Sequence, residues 1–227
     1  ASTLLEQMLA RDSSPATVAF ALPLLRRIID ESGRIQTQGI LANALATAGR
    51  VEEAEALLRD IVARAAAGGD YRQASVNAGR LLNLLLTTGR FEVALAVAEE
   101  MAAHTRAAGL GPWTQLADET TRLQVLAAMG KYDEVLAEVE ALRPQLASLP
   151  PESDAEETAV PWNVREALLN TGLQAAVYSG RWEAALALNA EIVKVTQERG
   201  ADALELARTR FNDYGPLLRL GRFDAAR

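Results

Sequence analysis

The chain has no cysteine, which removes disulfides, thiolate metal sites and cysteine nucleophiles together. A single histidine, His104, leaves a histidine metal site or a Ser/His relay almost nothing to build on. Aromatic residues are only 5% of the chain, so the 49% hydrophobic content is carried by Ala and Leu, the composition of tightly packed helices. Positive charge is also short. Lys and Arg number 23 against 30 Asp and Glu, a net charge of −7, and phosphate-backbone binding needs a clustered cationic surface. No direct nucleic-acid binding is expected of this segment. No apolar run approaches the roughly 18 residues of a membrane span, and no basic stretch followed by an apolar one opens the chain. The expectation is no membrane contact, with a cytoplasmic location as the default. There is no glycine-rich phosphate loop, nucleophile elbow or helix with paired metal ligands. Neighbouring carboxylates such as Glu156 and Glu157 would diverge on a helix. The expected cofactor and metal content is none, and the chain is not expected to be an enzyme.

What the chain does have is a phrase that recurs five times. It reads Gly49-Arg50-Val51-Glu52-Glu53-Ala54, Gly89-Arg90-Phe91-Glu92-Val93-Ala94 and Gly130-Lys131-Tyr132-Asp133-Glu134-Val135. It returns as Gly180-Arg181-Trp182-Glu183-Ala184-Ala185 and Gly221-Arg222-Phe223-Asp224-Ala225-Ala226, the copies beginning 40, 41, 50 and 41 residues apart. A period of this size signals a solenoid whose units pack only on their neighbours. The glycine takes the left-handed conformation that ends one helix, and the basic residue after it can meet the helix's last carbonyls. An apolar residue then plugs the turn (Trp182 as core), acidic residues open the next helix, and alanine allows close approach. Each phrase is the elbow of a helical hairpin.

Between elbows, Val51, Ala54, Leu57, Leu58, Ile61, Val62 and Ala65 keep helical spacing, as do Tyr132, Val135, Leu136, Val139 and Leu142. Gly33, Gly68-Gly69, Gly109 and Gly200 close the pairs. Helices are expected near 2–11, 15–31, 35–48, 51–66, 71–88, 91–107, 112–129, 132–147, 161–179, 182–199 and 201–220, eleven in all, with no strands. The domain reading is one solenoid over 1–227: a partial repeat 1–33, repeats 34–69, 70–109, 110–159 and 160–200, and a partial repeat 201–227. Ser13-Ser14-Pro15 supplies a cap and a proline at the first helical position, and Pro112 and Pro161 stand likewise before Trp113 and Trp162. Both ends read as cut, so a piece of a longer protein is expected.

This all-α, right-handed solenoid of antiparallel helix pairs resembles the tetratricopeptide-repeat (TPR) family. The resemblance rests on the turn glycine and the alanine five residues after it, Ala54, Ala94, Ala185 and Ala226, with Val135 departing. The roughly 40-residue period is closest to the long-repeat branch seen in kinesin light chains, bacterial peptide-pheromone receptors and sensor arrays of signalling regulators. The resemblance implies that first helices line a concave groove. Six residues before each turn glycine stand Asn43, Asn83, Gln124 and Gln174, each among Leu, Ala and Val. A carboxamide offers donors and an acceptor, which suits an extended peptide backbone, and similar ladders occur in peptide-binding family members. The alternative is that these amides join helices and set register. Arg80, Asn170, Arg208 and Asn212 fall on nearby faces and could grip a carboxylate. The family's carboxylate clamp wants lysines where Gly39 and Gly79 stand, so a chaperone-tail adaptor is disfavoured.

Trp113 and Trp162 are either ligand anchors or staples packing on the preceding pair, and His104 is expected to complement a helix dipole. The fourth unit carries an excess between Pro144 and Pro161, in which proline ends the helix and an acidic run from Asp154 to Glu157 follows. It is either an acidic lid for a basic partner or a tolerated surface insertion. The function expected is a non-catalytic scaffold binding a protein or extended peptide in the groove. The alternative is a sensor or regulatory array of a multidomain bacterial signalling or transcription regulator, binding a small inducer or holding it inactive. An uncapped solenoid end around Phe223 also suggests end-to-end self-association.

Overall fold

Each glycine phrase does locally what its chemistry demands. In the computed structural model, which describes residues 2–12, 14–32, 35–153 and 159–226, Gly49, Gly89, Gly130, Gly180 and Gly221 all sit at φ between +70° and +77°. The backbone N–H of Arg50 donates to Leu45 O at 2.9 Å and that of Gly49 to Ala46 O at 3.0 Å. The same two bonds recur at Arg90/Gly89, Lys131/Gly130, Arg181/Gly180 and Arg222/Gly221, so backbone rather than the basic side chain caps the carbonyls. Gly69, Gly109 and Gly200, at the pair-closing breaks, are left-handed too. Gly33, Ser13 and the acidic run 154–157 lie outside the described residues.

Twelve helices result among the described residues. They are α1 (Ser2–Arg11), α2 (Pro15–Ser32), α3 (Ile35–Thr47), α4 (Val51–Ala67), α5 (Tyr71–Thr87) and α6 (Phe91–Ala107). The second half holds α7 (Pro112–Ala128), α8 (Tyr132–Leu146), α9 (Pro161–Tyr178), α10 (Trp182–Glu198), α11 (Ala203–Phe211) and α12 (Tyr214–Arg219). No strand occurs among the described residues. The single helix expected over 201–220 is two helices. Pro216 has no N–H to continue an α11 ladder, and the buried Asn189 fills the gap. Its Nδ2 donates to Thr209 O at 3.0 Å and to Asp213 Oδ1 at 2.8 Å. Pro144 does not end α8, which runs on to Leu146.

The chain divides into two compact units, Ala1–Gly109 and Leu110–Arg227, each built from helix pairs. Second helices bury one stripe: Ala54, Leu58, Ile61, Val62 and Ala65 in α4, and Ala94, Val97, Ala98, Met101 and Ala102 in α6. The alanine position of the phrase is fully buried at Ala54, Ala94 and Ala185, and Val135 fills it equally well. The plug is less enclosed than expected, since Trp182 is only half-buried, with Arg219 5.8 Å over its ring. In the second unit α9 lies so close to its neighbours that a Cβ on Gly172 would stand 2.7 Å from Val139 Cγ1 and 3.3 Å from Leu188 Cδ1. No helix among the described residues is long and apolar enough to cross a membrane.

Candidate functional site

A helix packed on both flanks leaves only a narrow stripe open. In α3, Asn43 is exposed between buried Leu41, Ala42, Ala44 and Leu45; in α5, Asn83 is exposed between buried Leu81, Leu82, Leu84 and Leu85. Gln124 in α7 and Gln174 in α9 repeat the pattern, with Leu123, Val125 and Leu126 or Leu173, Ala175 and Ala176 buried beside them. All four carboxamides therefore stand on the open stripe of a first helix. None of the four side chains makes a hydrogen bond among the described residues, which counts against the reading that they join helices.

In the first unit the stripe also carries Arg80. Its Nη1 donates to Oδ1 of the buried Asn77 at 2.9 Å, and the guanidinium lies over Gly39 of α3, where a Cβ would come within 2.0 Å of Nη1. Gly39 thus makes room for an arginine from the next first helix. Arg80 has no carboxylate partner among the described residues. Other half-buried arginines do: Arg122 pairs with Glu119 and Glu138, and Arg143 with Glu140 and Glu191. Burial pushes the Arg122 guanidinium down, but hydrogen bonds to Glu138 and Glu119 outweigh it and leave the group above its ordinary value.

The second unit gathers four of the expected residues in one place. Gln124 of α7, Asn170 and Gln174 of α9, and Asn212 at the end of α11 line a cleft of about 690 Å³, with Thr171 and Tyr178 beside them. No charged side chain is among its lining residues. Asn170 donates to Glu166 O at 2.9 Å, and Asn212 donates to Asn189 Oδ1 at 3.3 Å, which ties the cleft wall to the buried Asn189. Arg208 stands exposed on α11 and is not part of the lining. Tyr178 is the residue the sequence reading missed. It is 64% exposed and stacks on Tyr132 at 5.0 Å between ring centroids; its place four residues after Gln174 puts it on the same stripe. His104, near the end of α6, lies 3.4 Å from Glu100 and stacks on Tyr71 at 6.0 Å.

The two tryptophans part company. Trp113 is fully buried, its Nε1 donating to Pro150 O at 2.9 Å, so the connection after its own pair holds the indole N–H. Trp162 is 41% exposed.

With helix pairs, left-handed turns and open stripes in place, the likeness to solved structures is decisive for the fold. The chain is similar to a kinesin light chain candidate from Podosopora anserina built of nearly identical TPR-like repeats, with a TM-score of 0.65 at 20% identity over 88% of this chain and 97% of that one. The fold is that of TPR-like repeats. A single-substitution variant of the same protein gives 0.64 at 20% identity, over 87% and 95%. BtubC (BKLC) from P. vanneervenii gives 0.58 at 17% identity, over 98% and 86%. No protein-family model and no curated protein matches the sequence.

Proposed function

We propose that the chain is a non-catalytic scaffold that binds an extended peptide or protein segment through the carboxamides on its first helices. The supporting observation is the cleft of Gln124, Asn170, Gln174 and Asn212, a concave surface with donors and acceptors and no charged side chain. Such a surface matches the alternating N–H and C=O groups of a backbone better than it matches an ionised ligand. In the first unit Asn43 and Asn83 offer the same chemistry, and Arg80 adds a cation for a ligand carboxylate. The cleft volume also admits a small neutral inducer, the alternative ligand class.

The test is a peptide-library selection on the whole chain, followed by calorimetry of a selected peptide against wild type and the Gln124→Ala, Gln174→Ala double variant. Each lost hydrogen bond removes about 0.5–1.5 kcal/mol, so Kd rises about five- to a hundredfold. Equal affinity in the double variant rejects the carboxamide reading. The second unit also exposes the stacked Phe211 and Tyr214, and Phe223, apolar surface that supports end-to-end self-association. Light scattering over a concentration series tests it, and a monomer throughout rejects it.

A further inference from the structure

Trp113 and Trp162 are the same residue in successive repeats, each second in its helix after Pro112 or Pro161. Around Trp113 the slot is filled. The connection after α8 brings Pro150 there, whose O accepts the indole N–H, and the Arg165 guanidinium sits 5.0 Å over the ring. The connection after the next pair, 199–202 between α10 and α11, is too short to do this. Trp162 consequently keeps one face under Arg199 at 4.6 Å while its N–H has no hydrogen-bond partner among the described residues. A cleft of about 890 Å³ opens beside it, lined among others by Pro151, Glu152, Arg165, Val195 and Glu198.

We propose that the Trp162 cleft is a second binding site, apart from the carboxamide cleft, and that it takes an extended proline-containing segment of a partner protein. The chain's own connection at Trp113 supplies the pattern: a backbone carbonyl accepts the indole N–H from a proline-rich run. Proline suits the role because it pre-sets an extended backbone and brings no N–H of its own to leave unpaired. The two cations at the cleft are already engaged. Arg199 pairs with Glu205, and Arg165 donates to Leu146 O at 3.1 Å. With Glu152 and Glu198 also in the lining, the site favours a neutral segment over an acidic or phosphorylated one.

The probe is a blocked, uncharged pentapeptide with the chain's own 147–151 sequence, Ala-Ser-Leu-Pro-Pro, titrated into the ¹⁵N-labelled whole chain. The three tryptophan indole N–H resonances report on Trp113, Trp162 and Trp182 separately. A saturable shift of the Trp162 signal is expected, with Trp113 and Trp182 unmoved. Binding should weaken about tenfold in Trp162→Phe, which keeps the ring and loses the N–H. It should weaken further in Trp162→Ala and for a peptide with alanines in place of its Leu-Pro-Pro. The proposal is overturned if no shift saturates at millimolar peptide, or if Trp162→Ala binds as well as wild type. It is also overturned if Trp113 moves instead, which means that the peptide only displaces the chain's own connection. A Trp162 shift that follows protein concentration without peptide assigns the slot to a second copy of the chain and overturns it equally.

Discussion

At the scale of single residues, exposure decides what a substitution does. Asn43, Asn83, Gln124 and Gln174 are exposed and carry no hydrogen bond among the described residues, so their alanine variants should melt within about 0.5 kcal/mol of wild type. A loss beyond that in circular-dichroism melts would mean they hold helices together after all. Asn189 is the opposite case. It is fully buried and bonds Thr209 O and Asp213 Oδ1, so Asn189→Ala should cost about 1–3 kcal/mol and loosen α11 and α12 first in hydrogen exchange. The carboxamides were legible in the sequence because counting back from a repeated glycine aligns them whatever surrounds them. Asn189 was not, because its partners lie 20 and 24 residues away and exist only once the last helix has broken. The split between Trp113 and Trp162 was equally hidden, since equal positions in two repeats received unequal connections.

At the scale of the element, boundaries were legible where a backbone conformation demands a particular residue. The left-handed glycines end helices at the positions the phrase names, and after the first four of them the second helix begins two residues later. The break after α11 was not legible, because Pro216 sits inside an otherwise periodic stretch and a proline three residues into a new helix looks like one inside an old helix. Close approach is also an element property. Gly172 holds α9 against Val139 of α8 and Leu188 of α10, both fully buried, so neither can step aside. Gly172→Ala should therefore destabilise the chain by about 1–3 kcal/mol, although alanine is the better helix former. A rise in melting temperature would show that α9 has more room than the structure gives it.

At the scale of the whole molecule, charge sets the response to acid. Glu55 is a well enclosed paired carboxylate, 14% exposed. Burial pushes its carboxyl up, but hydrogen bonds from Arg90 and Arg59 outweigh this and hold it below the ordinary value of 4.5. The Arg50 hydrogen bond holds Glu53 below the same value. A carboxyl depressed in the folded state stabilises that state above its ordinary pKa, and the contribution fades as pH falls through the folded value. Stability from this source should be flat between pH 7 and about 5 and decline below about 4.5. Glu55→Gln should make the acid decline shallower in melts taken across that range; an unchanged slope would remove Glu55 from the account.

The elbow arginines do more than follow a glycine. Arg90 reaches Glu55, Arg181 reaches Asp133 at 3.4 Å, and Arg222 reaches Glu183 at 2.6 Å, each joining one repeat's turn to the start of the previous repeat's second helix. The last two pairs are well exposed, so each adds little to stability. Their consequence lies in inheritance. The copy at Gly180 brings both a base that looks backward, Arg181, and an acid that looks forward, Glu183, whereas Arg50 and Lys131 pair with Glu53 and Glu134 of their own phrases, so a duplicate of the Gly180 repeat arrives with both halves of its seams. A gene can change the number of copies in such an array by unequal crossing-over without first evolving a new junction.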